Sequence, residues 1–294
     1  GLYVLGRIIE SVTGQPFERV VRKRIFEPLG MRLSTYFPEY ALPHRLAAGH
    51  IVTTAGPVVA RPWHVPRAIA PGGGIISNIA EQLQYAAFHL GDGSAQDGGR
   101  IIEPATIAAM QRPHAAAGSM CDNIGVTWML SEIGGTPFVF HGGATNGHLS
   151  SFELAPSRGF ALTLLTNADT GRGLRPFVSE LLRHHFLGIS PASPPSLPLD
   201  ASVVASYTGR YAQAIARLDV AADASGLVVQ EAPALFRTDD ALTPPPVQAV
   251  SIAPDRFAIL HGERRGETIE FLRGPAGEID WMRWDGRISR RITT

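Results

Sequence analysis

Residues 136–167, TPFVFHGGATNGHLSSFELAPSRGFALTLLTN, decide the reading of the fold. Apolar residues crowd 136–140, alternate with polar ones over 149–155, and run almost unbroken over 160–166. These are strand signatures, and Arg158-Gly159 between the last two reads as a hairpin turn. Residues 125–132 read as one more strand ahead of them. Successive strands joined by short connections form an antiparallel sheet. His141-Gly142-Gly143 falls where the strand 136–140 ends, so these three residues are expected at a sheet margin.

Outward from this sheet the pattern turns helical. Leu2, Leu5, Ile8 and Ile9 recur at spacings of three and four and predict a helix with a buried face over 2–11, stopped by Thr13-Gly14. Pro16 suits a first helical turn, and Phe17, Val20, Val21 and Ile25 continue as a second amphipathic helix ending at Pro28-Leu29-Gly30. Residues 31–70 show little periodicity and read as a long surface excursion. Pro71-Gly72-Gly73-Gly74 is a sharp break, and Asn78 with Glu81 predicts a capping box for a helix to about Leu90. Short helical signals follow at 105–110 and 174–186. The fold class is therefore α+β, a partial antiparallel sheet with flanking helices over 1–188.

Composition changes next. Residues 189–199 are proline-rich and read as a linker. Behind it, short strands are expected at 209–212, 216–220, 226–230, 256–260, 268–273, 279–284 and 287–292, a small antiparallel barrel over 200–294.

Lys+Arg and Asp+Glu both number 26 in the 294 residues, so no net basic charge marks a nucleic-acid partner. No apolar run reaches membrane-spanning length. Lys23 is the only lysine and Cys121 the only cysteine, which excludes an intramolecular disulfide.

Four stretches in order, Tyr3 to Gly14, Ile25 to Met31, Gly72 to Ser77, and His141-Gly142-Gly143…Gly147 with Leu164 to Asn167, resemble the β-lactamase-related serine hydrolases over residues 1 to about 188. That group takes in class C β-lactamases, D-alanyl-D-alanine peptidases and family VIII esterases. Tyr207-Thr-Gly-Arg-Tyr211, Gly226-Leu227 and Phe271 resemble the lipocalin-like β domain often appended to them. The resemblance implies acyl transfer to a serine in Ser-x-x-Lys, a tyrosine relay in Tyr-x-Asn, and a third motif on a strand lining the cleft. His141-Gly142-Gly143 matches the third. The resemblance assigns His141 to tuning the relay, Gly142 to leaving room at the cleft edge, Gly143 to the same substrate-facing stretch, and the Ala144 backbone N–H to an oxyanion. Relatives that hold a substrate carboxylate often carry Ser or Thr where Gly142 stands, so esters or other small acyl substrates are expected.

The other two motifs are absent. Three residues before Lys23 stands Val20, and no tyrosine has asparagine two residues on. The expectation is a chain that starts just after the second motif, with the nucleophile upstream, no turnover of its own, and an unpaired sheet edge at 149–166. Location is left open, since any export signal would also lie upstream.

Other readings are weaker. His141 and His148 lack a third metal ligand at useful spacing, Gly72-Gly73-Gly74 lacks the Lys-Ser/Thr of a phosphate loop, and Ser150 and Ser151 near His148 form no nucleophile elbow. No cofactor is expected. Trp128, Trp281 and Trp284 read as core. The alternative function is a non-catalytic protein that binds a ligand in the same cleft or in the β domain.

Overall fold

The computed structural model describes residues 1–63, 65–190, 196–224, 226–233 and 244–292. The chain divides into two compact units: Gly1–Ile51, Pro57–Ala115 and Ile124–Gly171 form one, and Val52–Gly56, Ala116–Asn123 and Arg172–Thr294 the other. Residues 191–195 of the expected linker lie outside the described residues.

The first unit opens with α1 (Leu2–Thr13), closed by Gly14 in the left-handed conformation at φ 64. Then come α2 (Phe17–Val21), a π-turn (Arg22–Phe26), α3 (Pro38–Ala41), and the hairpin strands β1 (His50–Thr53) and β2 (Gly56–Val59). The stretch 31–70 is thus less of a surface excursion than its composition suggests: Met31, Ala41, Ala60 and Ala70 are all buried. A 3-10 turn (Arg67–Gly72) packs on α1 so closely that a side chain at Gly6 would strike Pro71, and one at Gly72 would strike Tyr3. Arg67 ties this turn to α2 through two hydrogen bonds to Glu18, at 2.5 and 3.1 Å. The guanidinium holds the buried Glu18 carboxyl below the usual carboxylate range.

Helix α4 (Ile79–Leu90) begins at Asn78, whose Oδ1 accepts from the Glu81 N–H at 3.0 Å. The other half of the expected capping box is replaced. Glu81 instead accepts from the Leu33 N–H at 2.8 Å and the Ser34 hydroxyl at 2.6 Å, because a buried carboxylate is better satisfied by two donors from the packed loop. Then follow α5 (Pro104–Met110) and the two-residue strands β3 (Ala115–Ala116) and β4 (Asn123–Ile124).

The sheet proper is β5 (Met129–Ile133), β6 (Thr136–Thr145), β7 (His148–Ala155) and β8 (Phe160–Thr166), all antiparallel. Two sequence expectations fail here. Residues 125–128 are not strand, Thr127 being at φ 64, and β6 does not stop at 140 but runs through His141-Gly142-Gly143 to Thr145. One face of the sheet, with Val139 and Leu154, packs on Ala86 of α4 and on Trp128. Beside it His89 is 2% exposed, and neither ring nitrogen has a partner. Tyr85, Phe88 and Trp128 surround the ring with centroids at 4.6, 5.0 and 5.1 Å. Burial pushes His89 down to about 4.

Strand β8 carries no charge and among the described residues pairs with β7 alone, so the unpaired edge expected over 149–166 lies on the outer side of β8, while β7 is paired on both sides. The face of α1 expected to be buried is also open: Leu2, Leu5 and Ile8 are 45%, 48% and 52% exposed. An apolar groove of about 410 Å³ lies between Ile8, Val12, Val20 and Ile25.

In the second unit come α6 (Leu174–Leu187), α7 (Ala201–Tyr207) and eight antiparallel strands: β9 (Gly209–Gln213), β10 (Ala216–Asp223), β11 (Gly226–Pro233), β12 (Val247–Ala253), β13 (Arg256–Ile259), β14 (Thr268–Arg273), β15 (Ile279–Trp284) and β16 (Arg287–Ile292). They follow one another around a closed barrel in which β16 pairs with β9. Helix α7 and strand β12 escaped the sequence reading. In β12 only Val247, Ala249 and Ser251 face one way, too small and too polar a set to stand out. The interior is solid: Tyr211, Leu227, Ile269 and Met282 are fully buried, with Phe257 and Phe271 beside them. Tyr207 packs edge-on against Phe257 and tilted against Phe271, and it donates its hydroxyl to Asp255 at 2.9 Å, which Arg273 also grips at 2.7 and 3.0 Å.

Two outcomes are expected. In static light scattering the mean mass of this chain will rise with concentration, through the β8 edge and the open apolar faces; a constant monomer mass would contradict it. Because the folded pKa of His89 is depressed, its contribution to stability is complete above the unfolded value of 6.5 and declines as pH falls toward about 4. His89→Phe should flatten that acid slope by roughly 3 kcal/mol, read from denaturant melts across pH.

Candidate functional site

The site is built on the second half of β6. Strand β5 pairs with β6 only as far as Phe140, opposite Met129, whereas β7 pairs with it to the end, Thr145 opposite His148. Residues 141–145 therefore have a sheet neighbour on one side and no β5 partner on the other. Backbone groups on such an edge are fixed by the sheet yet free to bind a ligand.

His141 projects from this segment and is exposed. Its Nδ1 lies 2.6 Å from the Gly142 carbonyl oxygen. A carbonyl only accepts, so Nδ1 carries a proton and donates it there. The ring is oriented by its own backbone, with Nε2 turned away from that contact.

At 143 a side chain would have to displace a neighbouring hydroxyl. A Cβ there would stand 2.4 Å from the Ser150 Oγ on β7. Gly142 faces Ser151 across the strand pair, and Ala144 faces the buried Leu149. Ser151 donates to Glu153 at 3.3 Å, so it is engaged in the sheet and not with a histidine. The structure thus brings His141, Gly142, Gly143 and Ala144 together on one open edge.

The β6–β7 turn is Asn146-Gly147, with Gly147 at φ 70. Two stretches cross it, a feature with no signal in the sequence beyond isolated glycines. Ala48–His50 and Ala60–Pro62 lie over the turn, joined by the Ala60 N–H to the Gly49 carbonyl at 2.8 Å. Asn146 donates its side-chain amide to the Pro62 carbonyl at 2.7 Å. His148, half-buried beneath, is pushed below the usual histidine value by burial and then by His50.

Elsewhere, Cys121 is buried and its thiol donates to the Asn123 carbonyl at 3.1 Å, a structural setting. Trp128 and Trp284 are core, as expected; Trp281 is half-buried. Among the described residues no helix is long and apolar enough to cross a membrane.

The Beta-lactamase family profile matches residues 1–184. Penicillin-binding protein 4 of Amycolatopsis lactamdurans is 34% identical over 189 residues, 62% of this chain and 49% of that protein. The chain thus spans about half the length of the curated relative it matches. The crystal structure of SurE superposes with a TM-score of 0.66 at 23% identity, over 99% of this chain and 67% of that one. The octameric penicillin-binding protein homologue from Pyrococcus abyssi gives a TM-score of 0.56 at 20% identity, over 97% and 63%. Structural likenesses at such identities establish the fold alone.

The contact at Gly143 yields a double-mutant test. Gly143→Ala should lower stability by about 1–3 kcal/mol as the Ser150 hydroxyl is displaced. Ser150→Ala in the same chain should restore most of the loss, since the Ser150 Cβ would lie at 3.7 Å, an ordinary contact. Additive losses in thermal melts would contradict the geometry.

Proposed function

The chain belongs to the Beta-lactamase family, and on that premise we propose that it supplies the oxyanion and substrate wall of a serine hydrolase that cleaves an ester or amide through an acyl-serine. The observation that carries this is the half-open strand β6, which presents His141 to Thr145 without a β5 partner. In this reading the Ala144 N–H stabilises the negative oxygen of the tetrahedral intermediate. His141, its ring oriented through Nδ1, tunes proton transfer to the leaving group. Gly142 and Gly143 let the acyl group lie flat along the edge.

The glycine at 142 also bears on substrate class. It has no hydroxyl to bind a carboxylate, which favours small esters over carboxylate-bearing peptides or β-lactams. An esterase is therefore the favoured activity within the family. Residues 1–188 form the hydrolase part in this proposal, 189–199 the linker, and 200–294 a lipocalin-like appendage. The interior of that barrel is filled by its own side chains, so the appendage offers no support for a ligand-binding reading.

The same reading holds that the 294 residues do not turn over substrate by themselves, since they contain neither Ser-x-x-Lys nor Tyr-x-Asn. Assays of this polypeptide with a nitrophenyl ester and a chromogenic β-lactam should stay at background. Robust hydrolysis that vanishes on mutating a residue of this chain would refute the proposal.

A further inference from the structure

The Asn146–Gly147 turn is held from above by backbone at van der Waals distance. A Cβ on Gly49 would stand 2.3 Å from the Asn146 carbonyl oxygen and 2.7 Å from the His148 Cδ2. One on Gly147 would stand 2.4 Å from the His50 backbone nitrogen. The two glycines let Ala48–His50 lie directly on the turn. The His50 N–H then reaches the Asn167 carbonyl at 2.9 Å and the Gly147 carbonyl at 3.3 Å. Asn167 returns a bond from its side-chain amide to the Ala48 carbonyl at 3.1 Å. The clasp is held by these backbone and amide hydrogen bonds and flanked by two imidazoles.

Those imidazoles are His50 and His148. The Nδ1 of His50 donates to the Asn167 carbonyl at 3.2 Å, and His148 is bonded to the Thr166 backbone. Both rings are thus anchored on the end of β8, one from above the turn and one from within it. The two are near enough for the charge of one to act on the other.

We propose that this clasp is an acid-released latch: while His148 is neutral it pins the β6–β7 turn, and a proton on the half-buried His148 ring, packed under Gly49, loosens the Ala48–His50 segment from it. Charge on the half-buried His148 is opposed by loss of hydration and by His50, and favoured by the Thr166 carbonyl. Among the described residues, the ionisable groups next in sequence to the clasp are Arg61, beside the Pro62 that Asn146 holds, and Asp169, three residues past Thr166. Residues 145–147 carry none. Because a base whose charged form is disfavoured in the closed state loses that state on acidification, the latch weakens as pH falls below the ordinary histidine value. The turn continues directly from Ala144 and Thr145. If the wall serves as proposed above, release loosens the oxyanion edge; the latch itself stands without that role, and its test needs no activity.

The test is amide hydrogen exchange by NMR on the full chain, at neutral pH and at about pH 5, corrected for intrinsic exchange. The His50 and Ala60 amides, which donate within the clasp, should lose protection severalfold on acidification while the β6–β7 ladder amides keep theirs. His148→Gln should abolish that loss, and His89→Phe, which removes the separate acid sensitivity of the α4 core, should not. Unchanged protection of His50 and Ala60 in acid, or loss that persists in His148→Gln, overturns the latch. Should His148→Gln fail to fold, ring titration of the unaltered chain decides. The amide shifts of Gly49 and Gly147 must follow the His148 titration curve, and their following another group, or none, overturns it equally.

Discussion

Beyond Phe140, strand β6 has one neighbour instead of two, and the chemistry available to this chain rests on that. A strand paired on both sides spends its N–H and C=O groups within the sheet. A free strand has them available but unfixed. Between Phe140 and Thr145 the polypeptide has both properties, rigid on the β7 side and open on the other. Glycine at 143 leaves room for the Ser150 hydroxyl, which occupies the space a side chain would need. The fixed edge is what makes backbone donors useful to a developing negative charge, since dipoles already in place need no reorganisation when the charge appears.

The barrel obeys a different logic. Its strands follow one another without crossover and close, so no edge remains, and its centre is occupied by aromatic rings. The Asp255 carboxylate is the polar key. It sits at φ 58 in the β12–β13 turn, receives the Tyr207 hydroxyl that comes from α7, and is gripped by Arg273 of β14. One acid thereby fastens helix, turn and strand, and Arg273 holds it well below the usual carboxylate range. Such a barrel is a packed body and not a vessel.

What could be read from the sequence followed the strength of periodic signals. The helix over 2–13, the sheet strands 148–155 and 160–166, and seven of the eight barrel strands announce themselves through spacing and turn residues. Apart from α7 and the weakly patterned β12, the failures depend on partners distant in sequence. Whether β6 continues past 140 is set by its pairing with β7, because His-Gly-Gly has no strand propensity of its own. The second half of the capping box was lost to Leu33 and Ser34, 48 and 47 residues from Glu81. The α1 face reads as buried because its spacing is that of a core helix, and spacing says nothing about whether a partner is in place. In the site, the run His141 to Ala144 was legible as a motif, whereas the clasp of Ala48–His50 over Asn146-Gly147 was not, since two glycines 98 residues apart reveal their contact only in three dimensions.

The division between what this chain holds and what it lacks has a physical consequence. Activation of a serine is a side-chain property, needing a base at hydrogen-bond distance, and it disappears entirely when that base is missing. An oxyanion wall is a backbone property, set by strand pairing, and it persists wherever the pairing persists. In residues 136–167 the pairing is complete on the β7 side, closed by its own turn and held by its own glycines. The open edge of β6 therefore forms from local and neighbouring contacts in this chain, and the wall proposed above requires nothing further of the backbone.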